Sequence, residues 1–98
     1  TPQDTIKSLQ KALGIIESIS ENEFQQANLQ IKFFTYINDE PTYQNDKGKL
    51  LWPLRVALSG KQASPSPFEI AEVLGKQETI KRIKKAIELI EKNGVAKN

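Results

Sequence analysis

Trp52 and Arg55 stand three residues apart in the run Leu50-Leu51-Trp52-Pro53-Leu54-Arg55-Val56-Ala57-Leu58, and Ser64-Pro65-Ser66-Pro67-Phe68-Glu69 follows shortly after. Rigid aromatic faces, a planar cation and backbone N–H groups at a proline-stiffened turn can stack on, charge-pair with and hydrogen-bond to unstacked RNA bases. Residues three apart share a helix face, so Trp52 and Arg55 can serve one ligand together. The arginine fork can bond two acceptors of a phosphate or a base edge. Ser64 offers a small hydroxyl and a backbone N–H. Pro65 and Pro67 fix backbone angles, leaving little conformational entropy to lose on binding. Phe68 supplies a stacking or packing wall. Each residue also has a plainer use. An arginine in such a run commonly packs its stem and solvates its head; most tryptophans sit in cores; Phe68 can simply anchor a helix.

A second chemistry-bearing stretch is Lys81-Arg82-Ile83-Lys84-Lys85. With Lys61 it could track phosphates, although such strips are more often solvated helix faces. Charge is split along the chain. Residues 1–46 carry three lysines against seven acids, a net −4, while residues 47–98 carry eleven Lys and Arg against five acids, a net +6. A basic C-terminal half suits a polyanionic partner, and ordinary helix-surface charge accounts for it equally well.

Other chemistries are excluded by composition. The chain has no Cys and no His, which removes disulfides, thiol chemistry, soft zinc sites and imidazole catalysis. No close run of acids suggests an all-carboxylate metal site. Gly-Lys occurs at Gly48-Lys49, Gly60-Lys61 and Gly75-Lys76, but none has the flanking residues of a phosphate loop. No catalytic site and no bound cofactor are expected in this chain. No apolar run approaches the roughly 20 residues of a membrane span, and Thr1-Pro2-Gln3-Asp4 does not open a signal peptide. The expectation is a cytoplasmic protein off the membrane.

The elements that position these residues read as helices. Hydrophobic content of 38% and charge of 27% over 98 residues fit one globular domain, residues 1–98, rather than a disordered chain. Ile6, Leu9, Leu13, Ile16 and Ile19 predict a helix over Thr5–Ile19, with Gly14 inside it. Ser20-Glu21-Asn22-Glu23 has the form of a capping box. It predicts a helix from Ser20 to Asn38 that buries Phe24, Ala27, Ile31, Phe34 and Ile37, although Phe33, Phe34, Tyr36 and Ile37 are also compatible with a strand. Pro41 ends that helix, because the residue before proline avoids the helical region, and Thr42–Gly48 reads as a loop. A third helix is predicted over Leu50–Leu58, with Pro53 admissible only in its first turn. Lys61–Ser66 is a loop. Ser66 as N-cap, Pro67 at N1 and Glu69 at N3 open a fourth helix that Gly75 ends. Ile80, Ile83, Ile87 and Ile90 mark a fifth over Gln77–Lys92, and Val95–Asn98 reads as a frayed tail. The fold class is therefore all-α, a compact bundle of about five helices with short connections.

In order and spacing, Lys47-Gly48-Lys49, Pro53-Leu54-Arg55-Val56-Ala57-Leu58-Ser59-Gly60, Phe68-Glu69 and Leu74-Gly75-Lys76-Gln77-Glu78 resemble the C-terminal anticodon-binding region of bacterial-type glutamyl-tRNA synthetases. The resemblance runs from Ser20 to Ile90 and is strongest from Lys47 to Arg82. It implies the last helical domain of a class I, ATP-dependent ligase charging tRNA with glutamate, which grips splayed anticodon bases, chiefly the first two. The positions that would carry this are Trp52, Arg55, Ser64, Pro65, Pro67 and Phe68. Pro67 stands where some members have another apolar residue, and Ser66 replaces a common glycine. The family's two ATP-binding signatures, His-Ile-Gly-His-like and Lys-Met-Ser-Lys-Ser-like, are absent from this chain. The resemblance thus implies a fragment of a larger synthetase, with ATP and Mg used by a catalytic domain elsewhere. Its implied partners are the glutamate tRNA, the glutamine tRNA as a second candidate, and the preceding domains of the same enzyme. From another class, a helical protein-interaction domain with a basic C-terminal half is the alternative.

Overall fold

Three of the helices among the described residues start at a proline beside a hydrogen-bonding side chain. In the computed structural model, which describes residues 1–59 and 65–95, α1 spans Pro2–Glu17. Thr1 Oγ1 accepts from the Asp4 N–H at 3.1 Å, and Pro2 occupies the first helical position, where its missing N–H costs nothing. The helix therefore begins three residues before the predicted Thr5, and it ends at Glu17 rather than Ile19. Ile6, Leu9, Ala12 and Ile16 form its buried stripe, and Leu13 lies at the margin.

The capping box does not open the second helix. Ser20 Oγ donates to Glu23 Oε1 at 3.2 Å while the Glu23 N–H bonds to the Ser20 carbonyl at 3.0 Å, closing a short 3-10 turn at Glu21–Glu23. Phe24 then drops into the core, and α2 runs from Gln26 to Asp39. Its first turn is capped from a distant part of the chain: the Gln26 N–H donates to Glu72 Oε1 at 2.7 Å. The buried stripe is Leu29, Phe33 and Ile37, so Ala27 is exposed, Phe34 is only half-buried and Ile31 is 63% exposed. Of the five side chains predicted to be buried here, Phe24 and Ile37 are.

The predicted loop at Thr42–Gly48 contains a helical turn, α3, Pro41–Gln44. Pro41 both ends α2 and starts α3, with Glu40 as its N-cap. Tyr43 is buried, and its hydroxyl pairs with Ser8 Oγ of α1 at 3.2 Å, so neither polar group is left unsatisfied. α4 spans Gly48–Ser59, α5 Pro67–Leu74 and α6 Lys76–Ile90, followed by a π-helical turn at Glu91–Val95. The fifth predicted helix thus ends in a widened turn, and residues 96–98 of the expected tail lie outside the described residues. Among the described residues there are six α-helices and no strand, one short helix more than the sequence suggests.

α1 packs against α6 and α4, α2 against α3 and α5, and α4 against both α5 and α6. One core joins them: Leu9, Ala12 and Ile16 meet Leu29, Phe33, Ile37, Leu50, Leu54, Leu58, Phe68, Ala71 and Ile83. The Cα radius of gyration is 12.9 Å, as expected for a compact domain of about 100 residues. Among the described residues, no helix is long and apolar enough to cross a membrane.

Candidate nucleic-acid interface

α4 buries Leu50, Leu54 and Leu58, one row at four-residue spacing. That row fixes the rest of the helix. Trp52 and Arg55 fall on the side away from it, 60° apart on a helix turning about 100° per residue. Trp52 is 49% exposed and Arg55 half-buried. The tryptophan is therefore not a core residue.

Pro53 is buried in the interior of α4, beyond the first turn. It cannot return an N–H to the Lys49 carbonyl, so the prediction that it lies in the first turn is overturned. The helix starts earlier because Lys47 and Asp46 supply its first acceptors: the Leu50 and Leu51 N–H groups reach the Lys47 carbonyl at 3.1 and 3.0 Å, and the Lys49 N–H reaches Asp46 at 3.2 Å.

The start of α5 follows the sequence expectation. Ser66 Oγ accepts from the Glu69 N–H at 3.2 Å, with Pro67 in the first turn. Pro65 is exposed, while Pro67 and Phe68 are buried. Phe68, 5% exposed, packs its ring 5.4 Å from Phe33 and 5.9 Å from Phe34, centroid to centroid. Its role in this arrangement is to seat α5 on α2 rather than to offer an open stacking face. Lys47 Nζ lies 5.3 Å from the centroid of the Phe34 ring, a cation–π distance. Lys47, Phe34 and Phe68 therefore share one neighbourhood that sequence spacing did not reveal. Lys61 and Ser64 lie outside the described residues.

The basic strip of α6 divides. Ile83 is fully buried, and Lys81, Arg82, Lys84 and Lys85 are exposed. Arg82 and Lys85 border a groove of about 370 Å³ between α1, α4 and α6, whose apolar lining includes Trp52, Val56 and Leu89. The structure thus brings Trp52 together with Arg82 and Lys85, residues that the sequence reading kept apart. Lys81 and Lys84 do not line this groove. Arg82 is already engaged: Nε donates to Glu78 Oε2 at 2.9 Å and Nη1 to the Leu58 carbonyl at 2.7 Å. The hydrogen bond from Arg82 holds the Glu78 carboxyl below the usual glutamate range; slight desolvation opposes this, and the charges of Arg82 and Lys81 add to it. Among the described residues, no three acidic side chains gather as a metal site would require.

The family model described as "Anticodon binding domain" matches residues 1–87. This chain belongs to that family. Its similarity extends to curated relatives named glutamate–tRNA ligase. The one from Clostridium acetobutylicum is 42% identical over 92 residues, covering 93% of this chain and 18% of the relative. The one from Clostridium botulinum Eklund 17B is 41% identical over 91 residues, covering 92% of this chain and 18% of the relative. The one from Clostridium tetani is 39% identical over 87 residues, covering 88% and 17%. The chain therefore spans less than a fifth of the length of these relatives. No solved structure matches it. Within this family frame, the exposed Trp52, the half-buried Arg55 and the capped start of α5 are the parts of the expected site that the described residues include.

Proposed function

We propose that this chain is the anticodon-recognising domain of a glutamate–tRNA ligase, holding unstacked anticodon bases between α4 and the start of α5. The family match across residues 1–87 carries the reading. In it, Trp52 stacks on one base and Arg55 directs its planar fork at a base edge or phosphate. Ser64 supplies a hydroxyl and a backbone N–H, Pro65 and Pro67 stiffen the turn, and Phe68 seats that turn on α2. Lys61, Lys81, Lys84 and Lys85 neutralise phosphates. The domain contributes binding energy and anticodon identity, while the ATP- and magnesium-dependent acylation belongs to other parts of the parent enzyme. Such remote binding raises the rate of chemistry elsewhere by orienting the substrate. The glutamate tRNA is the proposed partner, the glutamine tRNA a second substrate to be tested, and the cytoplasm the proposed site of action.

The test is binding of the 98-residue chain to the anticodon stem-loop of glutamate tRNA, compared with a loop whose first two anticodon bases are exchanged. The expected result is clear preference for the native loop. Equal affinity for both would overturn the reading. The apolar groove beside Trp52 and Leu89 favours a second reading, a protein-interaction domain. It predicts RNA affinity that is weak and has no anticodon preference.

A further inference from the structure

We infer that Arg82 is a positioning residue for RNA recognition: held by Glu78, it grips the Leu58 carbonyl at the end of α4 and fixes Trp52 and Arg55 relative to the start of α5. The inference rests on the functional reading above, and it assigns Arg82 a different use from the phosphate contact suggested by the basic strip.

The last four carbonyls of a helix have no intrahelical donor. Leu58 is the second-last residue of α4, and its carbonyl receives Arg82 Nη1 at 2.7 Å, in a part-buried setting and across 24 residues of sequence. A cationic donor at a helix C-terminus also meets the negative end of the helix dipole. The same guanidinium is steered by Glu78, one turn earlier on α6, through Nε at 2.9 Å. That ion pair is weak on its own, since its side chains are 42% and 40% exposed. Its effect is directional: it occupies one edge of the plane and leaves another facing Leu58.

α5 and α6 behave as one unit. Only Gly75 separates them; its N–H bonds to the Ala71 carbonyl at 2.9 Å, and the buried Thr79 hydroxyl reaches the same carbonyl at 3.4 Å. The start of α5, with Pro65, Ser66 and Phe68, is thus referenced to α6. Arg82 is a hydrogen-bonded tie between α6 and the end of α4. Tilt at that end would displace Arg55, one turn upstream, relative to the α5 turn. Displacements near an ångström matter for recognition that depends on oriented hydrogen bonds.

The test uses the full chain carrying Arg82→Lys or Glu78→Gln, each assayed with the native and the base-exchanged anticodon stem-loops over a range of salt. Lysine keeps the charge but lacks two nitrogens fixed in one plane. The expected result is that both substitutions lower the preference for the native loop by roughly three- to tenfold, the scale of one ordinary intramolecular hydrogen bond. The salt dependence should be unchanged. Hydrogen exchange should accelerate in the last turn of α4 in both variants while the melting transition stays cooperative. If instead Arg82→Lys keeps the preference, and Glu78→Gln tightens binding to both loops by freeing a cation for phosphate, the inference is overturned. An unchanged exchange rate at the end of α4 would also overturn it, whatever the RNA result. Absence of preference in the unsubstituted chain, with the exchange effect intact, would instead strike at the functional reading.

Discussion

Arg55 and Trp52 illustrate how little a residue's type says without its helix phase. The row Leu50, Leu54, Leu58 consumes the core-facing side of α4 and leaves both at the outer side. Replacing Arg55 with alanine is predicted to weaken binding of the native anticodon stem-loop by about 1–3 kcal/mol, the range for a good base-directed pair. Folding stability should change by about 1 kcal/mol or less, because the residue is half-buried and lies off the core-facing row of α4. Paired melting and titration curves check this; a large fall in melting temperature with unchanged RNA affinity would mark Arg55 as structural. Trp52 is the only tryptophan, so its fluorescence reports on one site. Stacking of a base on the indole should quench it during titration with the native loop. Trp52→Ala should cost about 1–3 kcal/mol of binding, the value of one stacked base. Fluorescence that ignores saturating RNA would contradict a stacking role.

Among the elements, α5 was the most legible, because its signals are local: Ser66, Pro67 and Glu69 lie within four residues of one another and act on the same turn. α2 was the least legible. Its start depends on Glu72, 46 residues away, and its buried stripe cannot be read from aromatic type, since Phe33 and Phe34 both meet Phe68 and only Phe33 is fully buried. Phe33 and Phe34 are adjacent in sequence, and only tertiary packing selects Phe33 for burial. Tyr43 escaped notice for the same reason: its partner, Ser8, is 35 residues earlier. The α5–α6 junction offers a sharper test of element geometry. Gly75 has φ 85° and ψ 165°, a region open essentially to glycine alone. Gly75→Ala is predicted to cost about 1–3 kcal/mol, even though no atom lies within 4 Å of the added Cβ. Gly14, inside α1, also has nothing within 4 Å of an added Cβ. There, alanine should stabilise by about 0.5–1 kcal/mol through helix propensity. Thermal or denaturant unfolding should therefore move in opposite directions for the two substitutions.

At the scale of the whole molecule, the all-α class followed from helical periodicity and from the absence of any convincing strand pattern, and the described residues contain no strand. The candidate site was legible only as a set of residue types. Sequence spacing could pair Trp52 with Arg55, but could not show that Trp52 also borders a groove with Lys85, or that Phe68 lies beneath the surface. The charge division, by contrast, was fully readable: −4 over residues 1–46 and +6 over residues 47–98. It predicts that RNA approaches the C-terminal half, and counterion release turns that into a measurable slope. Each phosphate neutralised contributes about 0.7 to the fall of log affinity with log salt for a single strand. Lys84 and Lys85 are exposed on α6, and Lys32 is exposed on α2 in the acidic half. The double substitution Lys84→Ala and Lys85→Ala should lower the slope by about 0.7 for each phosphate it releases, and should weaken native and base-exchanged loops alike. Lys32→Ala removes one charge from the acidic half and should leave the slope unchanged. If Lys32→Ala reduces it as much per charge removed, the RNA responds to net charge alone, and the basic half has no directional role in docking.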